Sequence, residues 1–323
     1  MEQKAIQFGA AVLALALLLR LGGSDGKAAW EVGNTLVFIS TGRVVTQTEP
    51  VEETTESVPE TEPEQPAVTA AEALAVPVFG ESQKSLVKIS AAWSVDTLPL
   101  LQEPLDWKLK DDTPTVLILH THATESYQNT AGYQESGTCR TKDTHYNMVS
   151  IGAQVAKILE AEGIRVIHDT TLHDSPSYNN AYSNARDSIE DILSQNPGIC
   201  LVLDLHRDAA SDGNGKQKAS SVTIDGVSTA KLMLVMGSDK GSLSYPHWER
   251  NLSLAVKLQA QLEQMHPGLC KPIKLVSYRY NQDLSTGALL VEVGMAGNTH
   301  DEALAAAKLL AEGILALANG ANT

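Results

Sequence analysis

Basic residues are scarce. Lysine and arginine number 24 against 39 aspartates and glutamates, for a formal net charge of −15 over 323 residues. So acidic a chain lacks the basic face that nucleic acid demands, and no nucleic-acid partner is expected. Cysteine is scarcer still: Cys139, Cys200 and Cys270 are all there is. Three thiols with no CxxC pair exclude a disulfide framework and argue against a cysteine-based zinc site. Cys139 lies in the polar stretch 128–147 without a base to activate it, and Cys200 reads as a core residue. Beyond residue 22 there is no further apolar run long enough to span a bilayer. With 43% apolar and 20% charged residues, the chain otherwise has the make-up of a globular protein.

What is there begins with Lys4 and a nearly unbroken apolar run from Ala5 to Leu19, closed by Arg20. Residues 1–22 read as an uncleaved signal anchor, with a cleaved signal peptide as the alternative. The N-terminal charge places the bulk of the chain outside the cytoplasmic membrane. Residues 23–111 read as a linker. Within it Thr46 to Pro66 holds seven glutamates, four prolines and no lysine or arginine. That composition cannot offset its ordering entropy, so 46–66 is expected to be disordered, either a self-repelling spacer or a dispensable tail. Residues 67–111 read as a partly ordered arm, with a short helix in AVTAAEALAVPVF and a strand in LVKISAAW.

From 112 to 323 strands alternate with helices. Strands are expected at 115–120, 164–168, 199–206, 232–237 and 288–294. Helices are expected at Met148–Glu160 (ended by Gly163), Tyr182–Leu193, Trp248–Met265 and Asp301–Leu317. The alternation predicts an α/β fold, a central, mostly parallel sheet flanked by helices. Ligands of such sheets sit beyond the carboxyl ends of the strands. Three strands here run into chemically able residues: HTHATES, DLHRDA and VEVG.

His122 and Glu125 share one tight turn, a spacing that suits two ligands of one zinc ion. His206, ending another strand, is the natural third ligand, and His₂Glu leaves a position for water. Glu135 is an alternative to Glu125, and His120 to His122. Asp204 and Asp208 flank His206, and either can orient its imidazole. Arg207 suits a substrate carboxylate, or an ion pair with Asp208 or Asp204. Glu292 stands alone in an apolar strand, where a carboxylate is costly unless used. Beside a zinc-bound water it would be the general base, then the acid for the leaving amine. The remaining histidines, 145, 168, 173, 247, 266 and 300, read as surface or helix-end residues.

In order along the chain, VLILHTHATESY, GIRVIHDTTLHD, SYNNAYSNAR, VLDLHRDA and YNQDLSTGALLVEVGMAGNTHDEA resemble the stage II sporulation protein P family, over about residues 112–318. An N-terminal anchor and spacer also fit that family's layout. The resemblance implies a fold like that of the zinc-dependent N-acetylmuramoyl-L-alanine amidases, a phosphorylase/hydrolase-like three-layer sandwich. It implies peptidoglycan as substrate and cleavage of the amide between the glycan's lactyl group and the stem peptide. It further implies an endopeptidase activity on crosslinks, a part in thinning septal wall during engulfment, and a membrane complex with the stage II sporulation proteins D and M. Laid on the amidase strand-turn, His122 and His206 take the places of metal histidines and Glu292 that of the catalytic glutamate. The amidases' middle carboxylate would fall near Thr144, where this chain has Asp143 and His145, so Glu125 is preferred without closing the alternatives. Two other readings are a metallocarboxypeptidase, which also uses HxxE, a distant histidine and a late glutamate, and a wall-binding scaffold without activity.

Overall fold

The computed structural model describes residues 79–105, 107–128, 132–134 and 137–318. The expectations for the anchor, the acidic spacer and the helix in 67–78 lie outside these residues. All described residues fall in one compact unit, Val68–Thr323.

The unit is built on a seven-stranded sheet. Its strands, in chain order, are β1 (Ile89–Ser90), β2 (Val116–Leu119), β3 (Val166–His168), β4 (Leu201–Asp208), β7 (Leu232–Met236), β8 (Ile273–Leu275) and β9 (Ala288–Met295); a separate antiparallel hairpin, β5 (Ser221–Ile224) and β6 (Val227–Ala230), interrupts the series. The spatial order is β1-β8-β7-β9-β4-β2-β3. All neighbours are parallel except β7 against β9. The sheet is thus mostly parallel, as the alternation predicts. The reversal at β7, the hairpin and the short β8 carry too little local pattern to be read beforehand. β1, from the arm, pairs with β8 through Ile89 and Ser90.

The helices are α1 (Glu81–Lys84), α2 (Thr97–Gln102), α3 (Met148–Ala161), α4 (Ala181–Gln195), α5 (Trp248–Met265) and α6 (His300–Ala318). Asn147 caps α3, its side chain accepting from the Val149 amide at 3.0 Å. Strand alternation sorts side chains by face. Leu201, Leu203 and Leu205 of β4, Leu289, Val291 and Val293 of β9, and Leu232, Leu234 and Met236 of β7 join one core with α3, α5 and α6. On the other face α4 covers only the β2–β4 side, through Ala185 and Ile189 against Leu117, Leu119 and Val202. Toward β9 and β7 that face carries Leu290, Met233 and Val235 under Tyr280 instead of a helix. Asp204, His206 and Glu292 have the parity of this second face, so the sheet itself sets them beside α4.

Candidate active site

Register brings the chemistry together. His206 of β4 and Glu292 of β9 are direct partners across the parallel pairing. Beyond them the register shifts, so that Asp208 pairs with Met295. Gly294 makes this irregularity possible: its φ of +77° lies in the left-handed region, and a Cβ there would stand 2.7 Å from that of Ala230. β2 ends beside β4, and the turn that follows it delivers His122 and Glu125. The His122 and His206 rings stand edge to face, centroids 5.3 Å apart. Glu125 Oε2 lies 3.6 Å from His206 Nδ1.

Charge is tightly managed. Asp204 accepts from the Thr121 amide at 2.8 Å and the Thr121 hydroxyl at 2.7 Å. His206 Nε2 is 3.0 Å from Asp204 Oδ1. Burial opposes a proton on His206, but Asp204 and Glu125 on either side drive its pKa well up. Burial opposes ionisation of Glu125 too, and His206 and Arg207 win, holding it near 2. His122 behaves oppositely: burial and the neighbouring His206 lower it to about 4, leaving a neutral ring. Glu292 is pushed up to about 8 by burial, which the His206 charge only partly offsets.

Can these residues hold a metal? As placed, no group of three or more His, Cys, Asp or Glu among the described residues is arranged to ligate an ion. The donor set nonetheless fits one. Five buried side-chain polar atoms among the described residues lack a hydrogen-bond partner, and His122 Nδ1 and Glu292 Oε2 are two of them; His206 Nε2, a third, lies 3.0 Å from Asp204 Oδ1, which leaves Nδ1 as the nitrogen for a metal. Such atoms are rare in folded proteins and call for an explanation. Two atoms sharing a zinc stand about 3.3–3.5 Å apart at tetrahedral angles. The 3.6 Å from Glu125 Oε2 to His206 Nδ1 is close to that spacing and beyond hydrogen-bond range. The same carboxylates that raise the His206 pKa would favour a cation in place of its proton.

The stage II sporulation protein P family model matches residues 34–315. The chain belongs to that family. Stage II sporulation protein P of Bacillus subtilis (strain 168) is 28% identical over 212 residues, covering 62% of this chain and 50% of the relative. The match therefore spans about half the length of that curated relative. Resemblances to solved structures are loose. An N-acetylmuramoyl-L-alanine amidase of Nostoc punctiforme gives a TM-score of 0.39 at 14% identity, covering 62% of this chain and 95% of that one. An N-acetylmuramyl-L-alanine amidase of Mycobacterium smegmatis gives 0.37 at 16%, covering 65% and 99%. A metallo-carboxypeptidase of Burkholderia cenocepacia gives 0.33 at 10%, covering 64% and 57%.

Within this member of the stage II sporulation protein P family, the expected site residues divide. His122, Glu125, His206, Asp204 and Glu292 gather at one place. His120 does not: it turns to the other face, with Nδ1 on the Leu205 carbonyl at 3.2 Å and Nε2 on His168 Nε2 at 2.9 Å. Asp208 takes Lys271 as partner at 2.8 Å rather than His206. Arg207 pairs with neither Asp204 nor Asp208. It is buried, donates to the Ser126 and Cys139 carbonyls, and stands 3.5 Å from Glu125. Asp143 and His145 bind each other on the surface. Glu135 lies outside the described residues. His173 is no surface residue, being buried against Asp169 at 3.1 Å, and the buried His300 bonds Ser150 at 2.7 Å from the start of α6.

Three contributors carried no sequence signal for a role. Arg140 reaches Glu125 at 3.3 Å and Asp174 at 3.1 Å. Its guanidinium also lies 4.5 Å over the Tyr178 ring, which stacks on His122 at 4.3 Å. Tyr182 stands edge-on to His122 at 5.5 Å. Arg140 sits in a polar loop, Tyr178 in the short 3-10 turn Tyr178–Asn180 before α4, and Tyr182 in the first turn of α4. Only the motif SYNNAYSNAR marked that stretch, and it named no function.

Proposed function

We propose that this chain is a zinc-dependent N-acetylmuramoyl-L-alanine amidase that cleaves the lactyl–stem-peptide amide of peptidoglycan. The observation that carries the reading is the direct pairing of His206 with Glu292 beside the ring of His122, with a buried polar atom of His122 and one of Glu292 lacking a partner. Family membership supports it. His122, Glu125 and His206 would hold the metal, which supplies a Lewis acid for the amide carbonyl and a water of lowered pKa. Glu292 receives the proton of the attacking water and passes it to the departing amine. Its raised pKa suits the second half of that task, and the positive charge of a bound metal would draw it down toward the ionised form that the first half needs. Asp204, fixed by Thr121, orients His206, while Arg207 and Arg140 fix Glu125. Tyr178 and Arg140 cover His122 and limit water there.

The wider setting belongs to the same proposal. Residues 1–22 anchor the chain in the cytoplasmic membrane with the catalytic region outside, where it meets septal peptidoglycan during engulfment. Cleavage of peptide crosslinks is a second activity of the same centre, and the stage II sporulation proteins D and M are its partners. Among the described residues no helix is long and apolar enough to cross a membrane.

The test is digestion of purified peptidoglycan by the full chain with zinc, with a chelator, and with Glu292→Gln, the products identified by mass. Release of intact stem peptides that needs both zinc and Glu292 is expected. Release of single C-terminal residues would replace the amidase with a carboxypeptidase. Wall binding without any cleavage by the unaltered, zinc-loaded chain would leave a scaffold.

A further inference from the structure

Aromatic residues are few, yet four of the eight tyrosines crowd this site. Their rings form a row. Tyr178 stacks on His122, and His122 meets Tyr182. Tyr182 lies 5.8 Å from Tyr280, and Tyr280 lies 6.0 Å from Tyr278. Both ends of the row are open to solvent: Tyr178 is 53% exposed and Tyr278 67%.

The far end of this row is held in place by its backbone. Tyr280 and Asn281 have φ of +52° and +57°, left-handed values that non-glycine residues rarely adopt. The surroundings enforce them. Gln282 is buried, accepts from the Gly237 amide at 2.9 Å and donates to the Val235 carbonyl at 2.8 Å. Asn281 donates to the Tyr182 carbonyl at 2.8 Å, tying this segment to α4. The Ser238 amide donates to the Tyr278 carbonyl at 3.2 Å, and a side chain at Gly237 would collide with that oxygen. Strain kept by so many bonds sets Tyr280 on Met233, Val235 and Leu290, on the sheet face that carries Glu292.

Charge at this end is spent internally. Arg279 lies 3.1 Å from Asp283 and donates to the Ser244 carbonyl, and Arg186 also takes Asp283; Lys240 and Asp239 are half-exposed and 3.8 Å apart, a loose pair of no net charge. A ligand lying here meets ring faces and hydroxyls rather than an unpaired charge.

We propose that Tyr182, Tyr280 and Tyr278 form a sugar-ring subsite, on which uncharged pyranose rings of a glycan strand stack as the strand runs past the catalytic centre. The C–H face of an N-acetylated pyranose matches the face of a tyrosine ring. The charged carboxylates of a stem peptide find no partner in this row. The subsite deepens the amidase reading and rests on it for the substrate class.

The experiment is titration calorimetry of the full chain, with a chelator present, against a peptide-free N-acetylglucosamine tetramer and, separately, a free stem peptide. Tyr278→Ala is expected to weaken tetramer binding about tenfold, Tyr278→Phe to retain it, and stem-peptide binding to be unchanged. Tyr278 is exposed, so the truncation leaves the core alone, and matched thermal melts verify this. Equal tetramer affinity in Tyr278→Ala overturns the proposal, as does absence of tetramer binding by the unaltered chain. Ring-dependent tetramer binding in a chain that releases no stem peptide supports the subsite and overturns the amidase reading.

Discussion

His206 and Glu292 are Cα partners across β4 and β9, although 86 residues separate them in the chain. The imidazole is held charged by Asp204 and Glu125, and the carboxyl beside it is held neutral by burial. The carboxylates that charge the imidazole would equally favour a cation on it, which leaves Glu292 as the group that moves protons.

The raised pKa of Glu292 makes stability depend on pH. Folded, its carboxyl keeps a proton up to about pH 8, whereas its ordinary value is 4.5. Between these values the folded chain binds the extra proton, so this contribution to stability falls as pH rises from about 4.5 to 8. Glu292→Gln removes that slope. In chelator-treated protein the variant is expected to melt several degrees above the unaltered chain at pH 9 and level with it at pH 4. Parallel melting curves at both pH values would show that Glu292 is not held neutral.

Metal retention separates the histidines. His122→Ala and His206→Ala are each expected to lose bound zinc, read by elemental analysis after equilibrium dialysis, since each removes one of the three proposed ligands. His120→Ala is expected to keep its zinc and lose stability, by about 1–3 kcal/mol, through its broken bonds to Leu205 and His168. Loss of zinc from a folded His120→Ala chain would move the first ligand to His120.

Arg207 is expected to matter for folding. It is 4% exposed and satisfies two loop carbonyls as well as Glu125. Arg207→Met leaves the Ser126 carbonyl without this donor and takes one of two arginines from Glu125, a loss of about 1–3 kcal/mol in urea unfolding. A loss below about 1 kcal/mol would show that the arginine is not structural.

Gly294 is expected to tolerate no side chain. Gly294→Ala forces a left-handed alanine against Ala230, at roughly 1–3 kcal/mol, and displaces the strand beside Glu292. Activity is expected to fall further than the melting temperature explains. Full activity in the variant would show that the bulge does not aim Glu292.

Helices α3 and α5, with β2 and β9, were legible in the chain because each buries a continuous apolar face or run that period alone reveals. His122 and Glu125 were legible for a related reason, since one turn carries both. Arg140 was not. Its partners Glu125 and Asp174 lie 15 and 34 residues away, and nothing in a polar loop says which carboxylate an arginine will meet. His173 was misjudged because a histidine in a polar stretch gives no sign that Asp169 and α4 will enclose it.

The sequence by itself determined the family, the alternation of strands and helices, and the chemical groups at three strand ends, because periodicity and short motifs are local. Only the tertiary structure decided that β9 lies beside β4 in a register pairing Glu292 with His206, that β7 runs against it, and that His120 turns away. Strand neighbours and register follow from how distant apolar faces pack together, a property of the whole core that no short window contains.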